Sequence, residues 1–294
     1  MGKINCSEDN ENRVPISQKT FESTRNWHNI KECNRVKNKR VKHKTREQSG
    51  HFHVFFRGNS RQTVFYTDDD FIEFLIKCNI VSKQYNTKIA AFVIMDNHVH
   101  MHLITDELTP FMRALLISFT RWYNKRKGMS DKLFKSPFSS ARIYSKALIA
   151  DNLLYIFSNP IKAGICQNPW EYKWSSYHFH NNSRRNPLPK FINIDTSIVN
   201  EIFPNKSVLD CAICDFASDS IISNSTNFPK TPDNQVIQHM NTILNGQNLF
   251  TLTKNELKTL MVRLRKEKGA TFRQIASLTH ESYEEVRKLF WQNT

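Results

Sequence analysis

Residues 88–105 read KIAAFVIMDNHVHMHLIT. Residues 88–95 are almost wholly apolar, short enough for a buried strand. Asp96-Asn97 is a turn signal. Residues 98–105 then alternate: His98, His100 and His102 fall on one face, Val99, Met101 and Leu103 on the other. Two strands joined by a tight turn make an antiparallel hairpin. Working outward, HFHVFFRG (51–58) is aromatic and β-branched and reads as another strand. Asp68 to Asp70 cap a helix in which Phe71, Phe74, Leu75 and Cys78 recur at helical spacing. After the hairpin, Pro110 opens a long amphipathic helix to about Lys127, and KSPFSSARIY is a loop or strand. A helix over 147–159 is stopped by Pro160. The pattern predicts an α+β fold: a ferredoxin-like or RRM-like antiparallel sheet with its helices mostly on one side and the other face open for a ligand.

The flanks differ from this centre. Residues 1–50 read as a polar tail, and from Lys31 to Arg46 it holds eight Lys/Arg against the single acid Glu32. Residues 51–180 are the sheet domain. Residues 181–235, rich in Asn, Ser and Pro, read as a connector. Residues 236–294 are an all-α module. Within it Thr271 and Ser282 each precede a Gln or Glu by three residues, the capping-box spacing. This is a helix-turn-helix pattern with 282–291 as the candidate recognition helix; a plain interaction bundle is the rival reading. Nine basic and five acidic residues give 251–294 a net charge of +4.

Across 294 residues, 42 Lys+Arg against 27 Asp+Glu leave +15, which points to a polyanionic partner, most commonly nucleic acid. No run of eighteen apolar residues is present and the first residues lack a secretory signal, so the reading excludes a membrane partner and expects a cytoplasmic, nucleoid-associated protein. Six cysteines with a lone CxxC (Cys211, Cys214) read as free thiols.

The chemistry lies in His98-Val99-His100. Two imidazoles on one strand face, one pleat apart, can chelate a divalent ion. Tyr155 and Asn159, i and i+4 on one helix, face the same way. Asn159 offers an amide oxygen as third ligand, and Tyr155 a phenol able to attack phosphorus. Tyr123 lies in FTRWYNKRKG (119–128), where basic and aromatic residues interleave as single-strand binding requires; Arg121 and Tyr123 are candidate DNA contacts there. Arg57, Asn59, Arg142 and Lys162 are further candidate DNA contacts, with Gly58 permitting a positive-φ turn. His53 reads as a satisfied strand histidine, and His102 lies one pleat beyond the ligand pair.

At these residues the sequence resembles a known family. DNHVHMHLI looks like the HUH motif of single-tyrosine insertion-sequence transposases, and YIFSNPIKAGI (155–165) looks like their YIxxNPVxAG segment. RGNSRQTVF (57–65) with TDDDFIEFL (67–75) is similar to their opening. The likeness runs in order from about His51 to His180 and is specific to the REP-associated tyrosine transposase branch. It implies the HUH endonuclease fold and a metal-dependent single-strand endonuclease and strand transferase acting on DNA hairpins through a 5′-phosphotyrosyl intermediate. His98, His100 and Asn159 would hold Mg2+ or Mn2+, and Tyr155 would be the nucleophile. It also implies a homodimer, and duplex DNA as a second partner through the C-terminal module. The long N-terminal tail, and Asp96 where the family usually has Pro, depart from its pattern. The alternatives are a domesticated, non-cutting DNA-binding regulator and a replication-initiator or relaxase-type nickase.

Overall fold

The computed structural model describes residues 46–180, 186–222 and 231–291. The tail expected over residues 1–50 lies outside these up to residue 45, as do residues 181–185 and 223–230 of the expected connector. The sheet contains β1 (Gly50–Arg57), β2 (Lys88–Ile94), β3 (His98–Thr105) and β4 (Ser139–Ile143), in the order β2-β3-β1-β4 with every pair antiparallel. The crossovers are α1 (Asp68–Gln84) and α2 (Leu108–Lys127), which completes the expected ferredoxin-like order. Thr67, not the aspartates, caps α1, and Asp70 closes its capping box.

Alternation in β1 decides what each face does. Phe52, Val54 and Phe56 are buried on one face. There Phe56 meets Phe74 of α1 at 5.9 Å, and Phe74 meets Phe119 of α2 at 5.3 Å. Burying one such ring contributes roughly 1.5–3 kcal/mol, so this aromatic layer is a main source of stability. The other face carries His51, His53 and Phe55.

That second face is not left open. After β4 the chain crosses the sheet edge into α3 (Lys146–Lys162), which packs against β2 and β3. Pro160 lies inside α3 rather than stopping it. Only its own missing N–H is lost, two residues before the end, and the ladder continues with Ala163 N–H donating to the Asn159 carbonyl at 3.0 Å. The segment around Trp174 and Ser175 closes the free edge of β2: Ile94 N–H donates to the Trp174 carbonyl at 3.0 Å.

The connector reading needs correcting. Residues 197–222 hold α4 (Ser197–Ile202) and α5 (Lys206–Ile222), and α5 lies along α3. Leu209, Ile213 and Ala217, four residues apart, bury into the core of the sheet domain. A second core belongs to α6 (Asp233–Leu244), α7 (Lys254–Lys268), α8 (Phe272–Thr279) and α9 (Tyr283–Trp291). Both expected capping boxes form: Gln274 N–H donates to the Thr271 hydroxyl at 3.2 Å, and Glu285 N–H to the Ser282 hydroxyl at 3.1 Å. Tyr66, from the sheet domain, is part of this second core.

Candidate active site

Strand β3 delivers His98, His100 and His102 to the α3 face, because cross-strand partners share a face and these three stand opposite Arg57, Phe55 and His53 of β1. Helix α3 presents Asn152, Tyr155 and Asn159, spaced i, i+3 and i+7, as one stripe. The two stripes meet in order. The Asn152 Oδ1 lies 2.8 Å from His102 Nδ1. The Tyr155 ring stands edge-on to His100, centroids 5.2 Å apart at 81°. The Asn159 Oδ1 lies 3.4 Å from His98 Nε2. Seven residues of helix rise about 10 Å, and four residues of strand span about 13 Å. The periods agree closely enough for three successive pairings, with α3 running against the direction of β3.

Each candidate ligand is oriented through its other nitrogen. His98 Nδ1 is 2.7 Å from Asn97 Oδ1, and His100 Nδ1 is 3.0 Å from His53 Nε2. Behind them His102 Nε2 is 3.1 Å from His51 Nδ1. Burial pushes His98 down to about 4, opposed by its bond to Asn159 and aided by the Arg57 charge. Burial likewise takes His53 and His102 to about 4, with His102 depressing His53 further, and with Asn152 opposing and His51 aiding the fall at His102. These three imidazoles are therefore neutral at pH 7, the form in which His98 could bind a metal ion.

The donor set fits a divalent cation. His98 faces an oxygen at both ring nitrogens, yet a neutral imidazole carries one N–H. A cation between Nε2 and Asn159 Oδ1 resolves this lone-pair meeting, and two donors each about 2.1 Å from one ion stand about 3–3.4 Å apart. Among the described residues no cluster of three or more His, Cys, Asp and Glu is placed to hold an ion; a third donor beside His98 and His100 would be the Asn159 amide, 3.4 Å from His98 Nε2.

Burial raises the Tyr155 phenol above its usual range, partly offset by its hydrogen bond to Asn159. Its ring also lies 5.6 Å from His53, and Lys162 Nζ stands 5.3 Å from the ring centroid. The same Nζ lies 3.9 Å from the centre of Phe216, which α5 supplies. Burial pushes Lys162 down to about 8.

The other candidates divide. Arg57 ends β1 opposite His98, on the site's face, and Asn59 follows, its N–H donating to the Leu133 carbonyl at 2.8 Å. Arg121 is exposed, but on α2, which covers the opposite face. Arg142 pairs with Phe52 and so also points to that opposite face; it is ion-paired to Glu47, and its guanidinium lies 5.1 Å from the Tyr144 ring. Tyr123 is fully buried, 5.8 Å from Phe119, and is no DNA contact. It continues the buried stripe of Met112, Leu115 and Phe119, a spacing that outweighs the basic residues around it. Gly58 has φ −51°, so positive φ is not its reason; a Cβ there would sit 2.1 Å from the Gln62 carbonyl oxygen. In the loop that follows Gly58 the positive-φ residues are Ser60 and Arg61. His53, His102, Asn152 and Phe216 are site residues that the motifs alone do not name. His51-Phe52-His53 carried the signal for one of them, since a second HxH on the neighbouring strand shares the face.

The buried neutral histidines predict acid sensitivity. An unfolded histidine takes up a proton near pH 6.5, while these resist it until about pH 4. Stability contributed by neutrality is full above pH 6.5 and is lost as pH falls toward 4, by a few kcal/mol for the set. Denaturant midpoints measured from pH 7.5 to 4.5 should fall steeply, and His102→Gln should flatten the slope.

Residues 47–149 match the family model of IS200-like transposases. The match includes His98 and His100 and ends six residues before Tyr155. A solved structure of a REP-associated tyrosine transposase bound to a REP hairpin is 16% identical, over 55% of this chain and 93% of that chain, with a TM-score of 0.41. No curated protein matches the chain. No helix among the described residues is long and apolar enough to cross a membrane.

Proposed function

We propose that this chain, whose residues 47–149 match the family model of IS200-like transposases, is a metal-dependent transposase that cuts and rejoins single-stranded, hairpin-containing DNA through Tyr155. The observation that carries the reading is the pairing of two stripes, His98 with Asn159 and His100 with Tyr155. His98, His100 and Asn159 would hold Mg2+ or Mn2+. When bound, that ion polarises the scissile phosphate and offsets charge gained in the transition state. Tyr155 Oη attacks phosphorus; the new bond is Oη–P and the bond broken is P–O3′. The phenol gives up one proton and the departing 3′ oxygen takes one up. An ester replaces an ester, so the step runs in either direction without a nucleotide cofactor. Asn159 holds the hydroxyl, and His53 and His100 fix the plane of the Tyr155 ring. Arg57, Asn59 and Lys162 are the polar groups best placed to hold the flanking phosphates.

The net charge of +15 supports a DNA partner. Duplex DNA is assigned to α8 and α9, two helices joined by a short turn. One chain supplies all four site residues, so a homodimer would join two complete sites rather than complete one.

A covalent-adduct gel with labelled hairpin oligonucleotides tests the metal's part. A slow-migrating band should form with Mn2+ and not with EDTA, and His100→Ala should reduce it at least 100-fold. A band that persists in EDTA would overturn the reading.

A further inference from the structure

The C-terminal helices reach the candidate site through the sheet domain's own backbone. The loop after β1, residues 58–66, lies between them, and α8 grips its outer side. The Ser277 hydroxyl donates to the Arg61 carbonyl at 2.7 Å, and Thr63 N–H donates to the Ser277 carbonyl at 2.9 Å. The Tyr66 hydroxyl donates to the Leu278 carbonyl at 2.7 Å, and Asn241 of α6 donates to the Tyr66 carbonyl at 2.9 Å. The inner side of the loop holds the turn between β2 and β3. Gly58 N–H donates to the Asn97 carbonyl at 2.8 Å, and the Asn97 side-chain N–H donates to the Arg61 carbonyl at 3.3 Å. Asn97 Oδ1 then lies 2.7 Å from His98 Nδ1.

One carbonyl, that of Arg61, thus takes a bond from the module and a bond from Asn97. It sits where the backbone needs holding, because Ser60 and Arg61 have φ of 52° and 65°, a left-handed conformation that non-glycine residues leave when nothing fixes it. With its amide nitrogen spent on Arg61, Asn97 presents its oxygen to His98. That places the His98 proton on Nδ1 and leaves Nε2 as the electron-pair donor facing Asn159.

We propose that the C-terminal module is a positioning element of the cleavage site: through Ser277 and Tyr66 it fixes the 58–66 loop, which orients Asn97, which fixes the tautomer and ring plane of His98. The inference rests on the metal reading above. It makes the module more than an added duplex-binding unit, since the docked module helps to hold the histidine ligand in place.

The full chain tests it without any DNA. Mn2+ affinity is read by electron paramagnetic resonance for wild type, Asn97→Ala, Asn97→Asp and the pair Ser277→Ala/Tyr66→Phe, with circular dichroism to confirm folding. Asn97→Ala should weaken Mn2+ binding about 10–100-fold, and Asn97→Asp, which keeps an acceptor for Nδ1–H but loses the donor to the Arg61 carbonyl, should recover only part of that loss. The Ser277/Tyr66 pair should weaken it by about 3–10-fold while remaining folded. The same pair should lose adduct on a hairpin too short to touch α9. Wild-type binding with both Asn97→Ala and the Ser277/Tyr66 pair unchanged overturns this inference alone. Loss in Asn97→Ala with the pair unchanged removes the module from it. A wild type that binds no Mn2+ overturns the metal reading and this inference together.

Discussion

Tyr155→Phe should form no covalent DNA adduct, a loss of at least 10,000-fold in the cleavage step, while folding and DNA binding should stay near wild type. The size follows from the role: a nucleophile's oxygen has no substitute in a phenyl ring, and what remains is binding alone. The fold survives because the ring, packed against His53 and His100, is kept. Only a hydroxyl bonded to Asn159 is removed, a change of about 1 kcal/mol. The seven other tyrosines are poor replacements. Tyr66, Tyr123, Tyr172 and Tyr177 are buried, and Tyr85 closes α1 on the far side of the hairpin. Tyr283 lies in the C-terminal module, and the Tyr144 hydroxyl is held by Glu47 at 2.8 Å. An adduct in Tyr155→Phe of more than a few per cent of wild type, mapped by peptide mass to another tyrosine, would refute the assignment. An adduct formed by wild type and lost in Tyr155→Phe at unchanged binding would also separate a transposase from a regulator that never cuts.

Much of this was legible in residues 88–105, because period-two alternation and a turn dipeptide specify a hairpin without help from the rest of the chain. Strand β3 begins and ends where that alternation does, and the i, i+4 pair Tyr155 and Asn159 faces it as expected. The misreadings share one cause: they needed tertiary partners. Tyr123 sits among Arg121, Lys125 and Arg126, and only the packing of α2 on the sheet shows that its ring joins Phe119 inside. Arg142 is one residue from Ala141, which shares the site's face, and strand parity sends it to the other side. In α5 the apolar trio Leu209, Ile213 and Ala217 was present, but Asn, Ser and Pro runs on both flanks mark the region as a connector. His102 and Asn152 are far apart in sequence and become partners only when α3 settles antiparallel to β3.

The second large effect concerns the junction between the two cores. Asp70→Ala should lower stability by about 3–5 kcal/mol, read as the shift in urea unfolding of the full chain. The Asp70 side chain is 0% exposed and Lys127, its partner at 3.1 Å, only 14%. Its Oδ2 also accepts from Tyr66 N–H and Thr67 N–H, both at 3.0 Å, and so closes the capping box of α1. Removing the carboxylate strands a nearly buried ammonium beside the Tyr66 and Tyr123 rings and leaves two backbone donors unmet. Tyr66 belongs to the C-terminal core, and the Lys127 carbonyl accepts from Asn248 at 3.2 Å, so the pair ties α1 and α2 to the helical module. Taking both charges away together, as Asp70→Ala/Lys127→Met, should recover part of the loss, because no unpaired charge is then buried. The loss should also split the unfolding transition, since each core would melt without its shared anchor. A shift under about 1 kcal/mol, or a single mutant no worse than the double, would show that the ion pair is solvated and the two cores are joined by the loop contacts alone.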